Sequence, residues 1–379
     1  MLALLFLFST LAHAIVVSGP SGPWPVSHHV VELTDESRWD PYAPEDNQHK
    51  RRILTSFFIP FHEDQQECEV DKIDYLPPKT AETWAKVASG VGLPSNTFEG
   101  FELAFCKPTS KKQSRNPVLI ISPGFSASRL LVSAQAQSLA SQGNVVITVD
   151  HPYEATIVEF PDGEVVYGAT ADEINQESAQ KAVKVRSQDI SFLIDQISAP
   201  SKLGDNIDGK LDTKKIFLYG HSLGGATSAQ VASVDDRVLG GLDFDGALVG
   251  SVEETGLDKP FFIVGADSTE DATSYYQDFM EKVGGPKMLT IINGTKHMTF
   301  SDLPLLLSLR DDIPPESKPV IEKVLGTIDG KRAAIVVNKF LGAVTSFLFK
   351  RNAGPLCKFE DEVPEAVLVE MDLKTPYCE

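Results

Sequence analysis

The heptapeptide Gly220-His221-Ser222-Leu223-Gly224-Gly225-Ala226 joins two segments of different character. Before it runs Ile216-Phe217-Leu218-Tyr219, suited to a buried strand. After it come Thr227-Ser228-Ala229-Gln230-Val231-Ala232, small residues suited to a close-packed helix. The reading is a strand, a sharp turn carrying G-x-S-x-G, and a helix. A serine at such a turn adopts a strained backbone, and bulky residues two positions away on either side would collide with it. Glycines relieve that clash and leave the hydroxyl projecting at the start of the helix. Ser222 is therefore the candidate nucleophile.

Working outward, the chain alternates apolar runs with helical patterns from residue 117 on. Val118 to Ile121, Val145 to Val149, Phe261 to Val264 and Met288 to Ile292 read as strands. Leu130 to Gln142, Glu177 to Ile197 and a segment near 274–283 read as helices. Val336, Val337, Phe340, Leu341, Val344, Phe347 and Leu348 recur at helical spacing, which predicts an amphipathic helix near the C-terminus. Strands apolar on both faces, alternating with helices, predict an α/β fold: a mostly parallel sheet covered on each side. Ile53 to Pro60 predicts one more strand, whereas residues 15–50, rich in Pro, Gly and His, read as surface coil with one short strand. No long linker or repeat interrupts the chain, so residues 15–379 are expected to form a single domain.

The first 14 residues, apolar from Leu2 to Phe8 and ending in Ala12-His13-Ala14, read as a secretory signal peptide with an A-x-A cleavage site, although no Lys or Arg precedes the apolar run. A secreted, extracellular protein is the expectation. Four cysteines without a C-x-x-C suit two disulfides better than metal or redox chemistry; of three possible pairings, the local one is Cys68–Cys106 with Cys357–Cys378, the second tethering the tail. Asn293-Gly294-Thr295 is a glycosylation sequon. A net charge of −19 disfavours nucleic acid and anionic membranes as partners.

A serine near neutral pH needs an adjacent base. On this kind of fold the order along the chain is Ser, then Asp or Glu, then His. Of eight histidines only His297 lies beyond Ser222, just after the strand 288–292. Its bland alternative is a surface histidine. His221, inside the elbow, reads as packing against the turn. Two aspartates stand at strand ends between serine and histidine: Asp245, in Gly241-Leu242-Asp243-Phe244-Asp245-Gly246-Ala247, and Asp267, one strand later. The spacing does not choose between them.

The segments GHSLGGAT, GLDFDGAL and INGTKHMTF, together with Ile120-Ile121-Ser122-Pro123-Gly124-Phe125-Ser126 and Gly22-Pro23-Trp24-Pro25-Val26, resemble the plasma and intracellular type of platelet-activating factor acetylhydrolase, a branch of the α/β-hydrolase superfamily with secreted fungal and bacterial relatives. The resemblance implies that Asp245 is the acid, that the backbone N–H groups of Phe125 and Leu223 form the oxyanion hole, and that the substrates are short acyl esters of glycerophospholipids. Where the family usually carries His-Gly, this chain has Pro123-Gly124. The second donor also follows from chemistry, since the residue after the nucleophile presents its amide at a helix N-terminus. Phe125 alternatively reads as a core aromatic. The implied mechanism is attack by Ser222 with His297 as base, Asp245 orienting the imidazole, and hydrolysis of an acyl-enzyme. It requires no metal or organic cofactor and implies no protein partner. Leu303-Pro304-Leu305-Leu306-Leu307-Ser308-Leu309 reads as a buried core helix or, alternatively, an apolar rim that makes interfacial contact with lipid or receives an acyl chain.

Three rivals exist. A cutinase, polyester hydrolase or general carboxylesterase on the same fold would place the acid at Asp267. Asp243-Phe244-Asp245-Gly246-Ala247-Leu248 resembles the D-x-D-G-T-L opening of haloacid-dehalogenase-type phosphatases, but Ala247 replaces the threonine and the elbow is left unexplained. A non-catalytic hydrolase-like binding module would be expected to lack a triad member, and none is missing.

Overall fold

The computed structural model describes residues 14–17, 21–61, 68–107, 115–170, 173–199, 203, 207, 210–267 and 270–374. A nine-stranded sheet runs through its centre: β1 (Val26–Trp39), β2 (Lys50–Pro60), β3 (Asn116–Ser122), β4 (Val145–Asp150), β5 (Leu211–His221), β6 (Val238–Phe244), β7 (Phe261–Ala266), β8 (Lys287–Ile292) and β9 (Ala366–Asp372). Their spatial order is β1-β2-β4-β3-β5-β6-β7-β8-β9. The six strands from β4 to β8 are parallel, and antiparallel pairs close both ends. This is an α/β-hydrolase fold.

Strand side chains alternate between two cores, which is why central segments such as Val118–Ile121 and Ile216–Tyr219 lack charged residues. On β3 and β5, Val118, Ile120, Ile216 and Leu218 face one cluster, while Leu119, Ile121, Phe217 and Tyr219 face the other. The first face is covered by α1 (Gln176–Ser198), which buries Ile190, Leu193 and Ile194 and starts at an Asn175–Ser178 capping box. The second face receives α3 (Gly330–Lys350), N-capped by Asp329. That helix is long and apolar enough to cross a membrane, but Val336, Val337, Phe340, Leu341 and Val344 are buried in the core.

Residues 15–50 differ from expectation. They form β1, a 14-residue edge strand paired with β2 over most of its length. An edge strand buries one face and pairs one side, so alternating half-buried and exposed residues suffice and no apolar run marks it. A second, three-stranded sheet pairs Ile15–Val16, Phe101–Lys107 and Glu69–Asp74. The Cys68–Cys106 disulfide joins its last two strands. Closing a span of 38 residues stabilises by about 3–4 kcal/mol in the chain-entropy picture. The pairing Cys357–Cys378 lies outside the described residues because Cys378 does, as does most of the signal segment. The apolar stretch after His297 forms a short helix, Leu303–Ser308, with Leu303, Pro304, Leu306 and Leu307 buried as a core helix would be, and Leu303 also lines the cavity described below.

Candidate active site

Every candidate residue leaves the C-terminal end of a parallel strand, where the loops of such sheets converge. Register lines them up: Gly220 on β5 is level with Ser122 on β3 and Asp243 on β6, and Phe244 is level with Val264 on β7. The residues that follow these strand ends therefore emerge side by side.

Ser222 turns the chain from β5 into α2 (Leu223–Val234) at φ 57° and ψ −127°. Backbone in this region is strained by about 1–3 kcal/mol for a residue with a side chain. Its N–H donates to the Phe244 carbonyl at 2.9 Å, which holds the bend. The flanking glycines are obligatory. A Cβ on Gly224 would lie 1.9 Å from the Ser122 carbonyl oxygen, and one on Gly220 would lie 2.2 Å from the Gly224 backbone.

His297 Nδ1 donates to Asp245 Oδ2 at 2.8 Å. Asp245 follows β6 at φ 56°, and its other oxygen accepts the Ala266 N–H at 2.7 Å and the Tyr276 hydroxyl at 3.4 Å. This fixes the imidazole tautomer: Nδ1 carries the proton and Nε2 keeps its lone pair. Among the described residues no hydrogen bond joins Ser222 to that ring. Contacts of this kind commonly tighten only when substrate arrives. Ser222 and His297 nonetheless line one cavity. Asp267 is placed differently: its Oδ2 accepts the Gly294 N–H at 3.1 Å and its own N–H donates to Thr295.

His221 does more than pack. Its Nε2 lies 2.7 Å from the backbone oxygen of His297, and a carbonyl only accepts, so this imidazole donates from Nε2. Burial, reinforced by His297 beside it, lowers its pKa to about 3, which keeps it neutral. Asp243 is fully buried under the elbow, one oxygen accepting the Gly246 N–H, and burial pushes its carboxyl well above the usual range. That inward, solvent-free position does not suit the paired-aspartate phosphatase reading.

The cavity measures about 440 Å³ and is mostly apolar. One wall is Gly124, Phe125, Ser126 and Ala127; the other is Trp84, Val87, Ala88, Val91, Leu93 and Phe98. Trp84 and Ala88 belong to the helix Pro78–Gly90, whose buried residues Thr80, Trp84 and Ala88 recur every fourth position. Among the described residues the amides of Phe125 and Leu223 donate to no protein acceptor, and their side chains meet in one small cluster.

Two buried features escaped the sequence reading. Ser122 Oγ, His151 and Asp189 form a second Ser-His-Asp chain, at 3.1 and 2.9 Å, but all three are at most 2% exposed and no substrate reaches them. Burial lowers the His151 pKa to about 4. Arg186, also fully buried, reaches the loop after β3. Its signal was a charge on an apolar stripe, between Val183 and Ile190 of α1.

A family model described as platelet-activating factor acetylhydrolase, isoform II, matches residues 79–310, more than half of the chain. The chain belongs to this family. As a member it is a carboxylic ester hydrolase whose substrates are small lipid or ester molecules. A probable 1-alkyl-2-acetylglycerophosphocholine esterase of Arthroderma benhamiae is 27% identical over 387 aligned residues, covering 96% of each chain. A platelet-activating factor acetylhydrolase of Cavia porcellus is 28% identical over 62% of this chain and 60% of its own. In three dimensions the ferulic acid esterase from Streptomyces cinnamoneus superposes with a TM-score of 0.76 at 26% identity, covering 94% of this chain and all of its own.

Proposed function

We propose that this chain is a secreted serine esterase that removes short, acetyl-type acyl groups from glycerophospholipids. Ser222 attacks the ester carbonyl, and the lone pair of His297 Nε2 takes its proton. Asp245 orients the imidazole and stabilises its charged form. The amides of Phe125 and Leu223 receive the oxyanion, and water then hydrolyses the acyl-enzyme. The observation that carries this reading is the 2.8 Å hydrogen bond from His297 to Asp245, at a cavity that Ser222 also lines. The substrate class is supported by the relative from Arthroderma benhamiae, alike over nearly its whole length. Secretion rests on the N-terminal segment, and cleavage after Ala14 would leave Ile15 at the mature terminus.

The test is a chain-length series of p-nitrophenyl esters run beside a short-chain phosphatidylcholine, with an organophosphate probe. The expected results are a preference for acetyl and butyryl chains, turnover of the phospholipid, and labelling that Ser222→Ala abolishes. Labelling that survives Ser222→Ala would remove the nucleophile from this scheme. A broader carboxylesterase is favoured by one observation, the likeness to a ferulic acid esterase. Turnover of aryl esters with none of the phospholipid would select it.

A further inference from the structure

Arg186 sits on α1, wholly buried, with its guanidinium aimed at the loop after β3. Its Nε donates to Glu154 Oε2 at 2.6 Å; one Nη donates to the Pro123 carbonyl at 2.6 Å, the other to the Gly124 carbonyl at 3.2 Å. Two residues after Gly124 the loop is clamped from the other side: the Ser126 N–H donates to the Glu154 carbonyl at 3.2 Å, and the Ser126 carbonyl accepts the Thr156 N–H at 2.9 Å. Glu154 thus grips the loop twice, once through its backbone and once through Arg186.

The Gly124 carbonyl and the Phe125 N–H belong to one peptide unit. That unit is planar and trans, so its C=O and N–H point in opposite directions. A guanidinium holding the oxygen on the buried side, together with the Ala127 N–H that donates to the same oxygen at 3.2 Å, turns the N–H toward the cavity. A cation hydrogen-bonded to that oxygen also polarises the unit and strengthens the N–H as a donor. We infer that Arg186, anchored by Glu154, is the positioning residue that aims and polarises the Phe125 oxyanion donor. This rests on the reading of Phe125 given above. It is also compatible with Pro123, which has no N–H to contribute: the contact uses its carbonyl.

The experiment uses the full chain with Arg186→Met and Arg186→Lys, normalised by active-site titration with a fluorophosphonate. Turnover of p-nitrophenyl acetate gives kcat and KM. The second readout is the Kd of a trifluoromethyl ketone. Ser222 Oγ adds to its carbonyl carbon, the C=O π pair moves to oxygen, and the hydroxyl proton passes to His297, leaving a hemiketal oxyanion. Arg186→Met should lower kcat by about 10- to 100-fold, less than deletion of a donor, with KM within about threefold. Ketone affinity should weaken by a similar factor, and Arg186→Lys should recover part of both, since an ammonium can still hold one carbonyl. A role confined to folding would reduce the active fraction and the melting temperature but leave the ketone Kd of the titrated enzyme unchanged; that result overturns the inference. So does a folded Arg186→Met with kcat and Kd within about twofold of the parent. If Arg186→Met does not fold, Glu154→Gln, which loosens the anchor and keeps its shape, must lower kcat and ketone affinity together, and unchanged values overturn the inference. A ketone that binds Ser222→Ala as tightly as the parent would instead show that the active-site reading itself is wrong.

Discussion

Replacing Asp245 by Asn should lower kcat by about four orders of magnitude with the fold intact. The reason is a tautomer. Asp245 Oδ1 already holds the Ala266 N–H at 2.7 Å, so the Asn carbonyl oxygen takes that place and its NH2 faces His297 Nδ1, 2.8 Å away. Two donors cannot meet there. The imidazole must shift its proton to Nε2, where it no longer accepts the proton of Ser222. The ring also loses the anion that stabilised its charged form, and together these raise the barrier by about 5–6 kcal/mol at 1.4 kcal/mol per decade. The exposed Asp267 offers the contrast: Asn can accept the same Gly294 N–H, so Asp267→Asn should keep kcat within about threefold. Initial rates on p-nitrophenyl acetate near neutral pH, with circular dichroism of both variants, decide the matter. If Asp267→Asn abolishes turnover and Asp245→Asn does not, the reasoning is refuted.

Two further outcomes are expected. His28, stacked on Phe105 at 4.9 Å and tilted on Phe58 at 5.0 Å, has its pKa lowered to about 3 by burial, with Arg129 and His29 adding to it. The unfolded chain takes up a proton there near pH 6.5 and the folded one does not, so stability falls as pH drops below that value. His28→Phe should therefore gain about 1–2 kcal/mol relative to the parent on going from about pH 8 to about pH 5; parallel denaturation curves at both values would contradict this. Gly224→Ala should destabilise by about 3 kcal/mol, since its methyl meets the Ser122 carbonyl at 1.9 Å, and an unchanged melting temperature would contradict the steric account of the elbow.

The elbow was legible because its requirement is local: the clash that Gly220 and Gly224 avoid involves residues a few positions away or on the adjoining strand. The parallel strands were legible because burial on both faces leaves unbroken apolar runs such as Val118 to Ile121. The choice between Asp245 and Asp267 could not be read. Both end apolar strands, and what separates them is register together with the left-handed turn at Asp245. β1 went unread because an edge strand is half polar by construction. Arg186 went unread: it is a charge on an apolar stripe, but the carbonyls it holds lie 63 and 62 positions earlier, beyond any local pattern.

The wall formed by Trp84, Val87, Ala88, Val91, Leu93 and Phe98 comes from one continuous excursion, and the Cys68–Cys106 bridge ties that excursion shut at its base. The candidate triad and this wall of the cavity are thus carried by separate parts of the polypeptide, with Ile174, Met298, Leu303 and Val324 lining the cavity from outside the insert. Evolution, or a designer, can exchange the stapled insert as a cassette and alter which molecules are admitted, while the machinery rooted in the strands stays as it is.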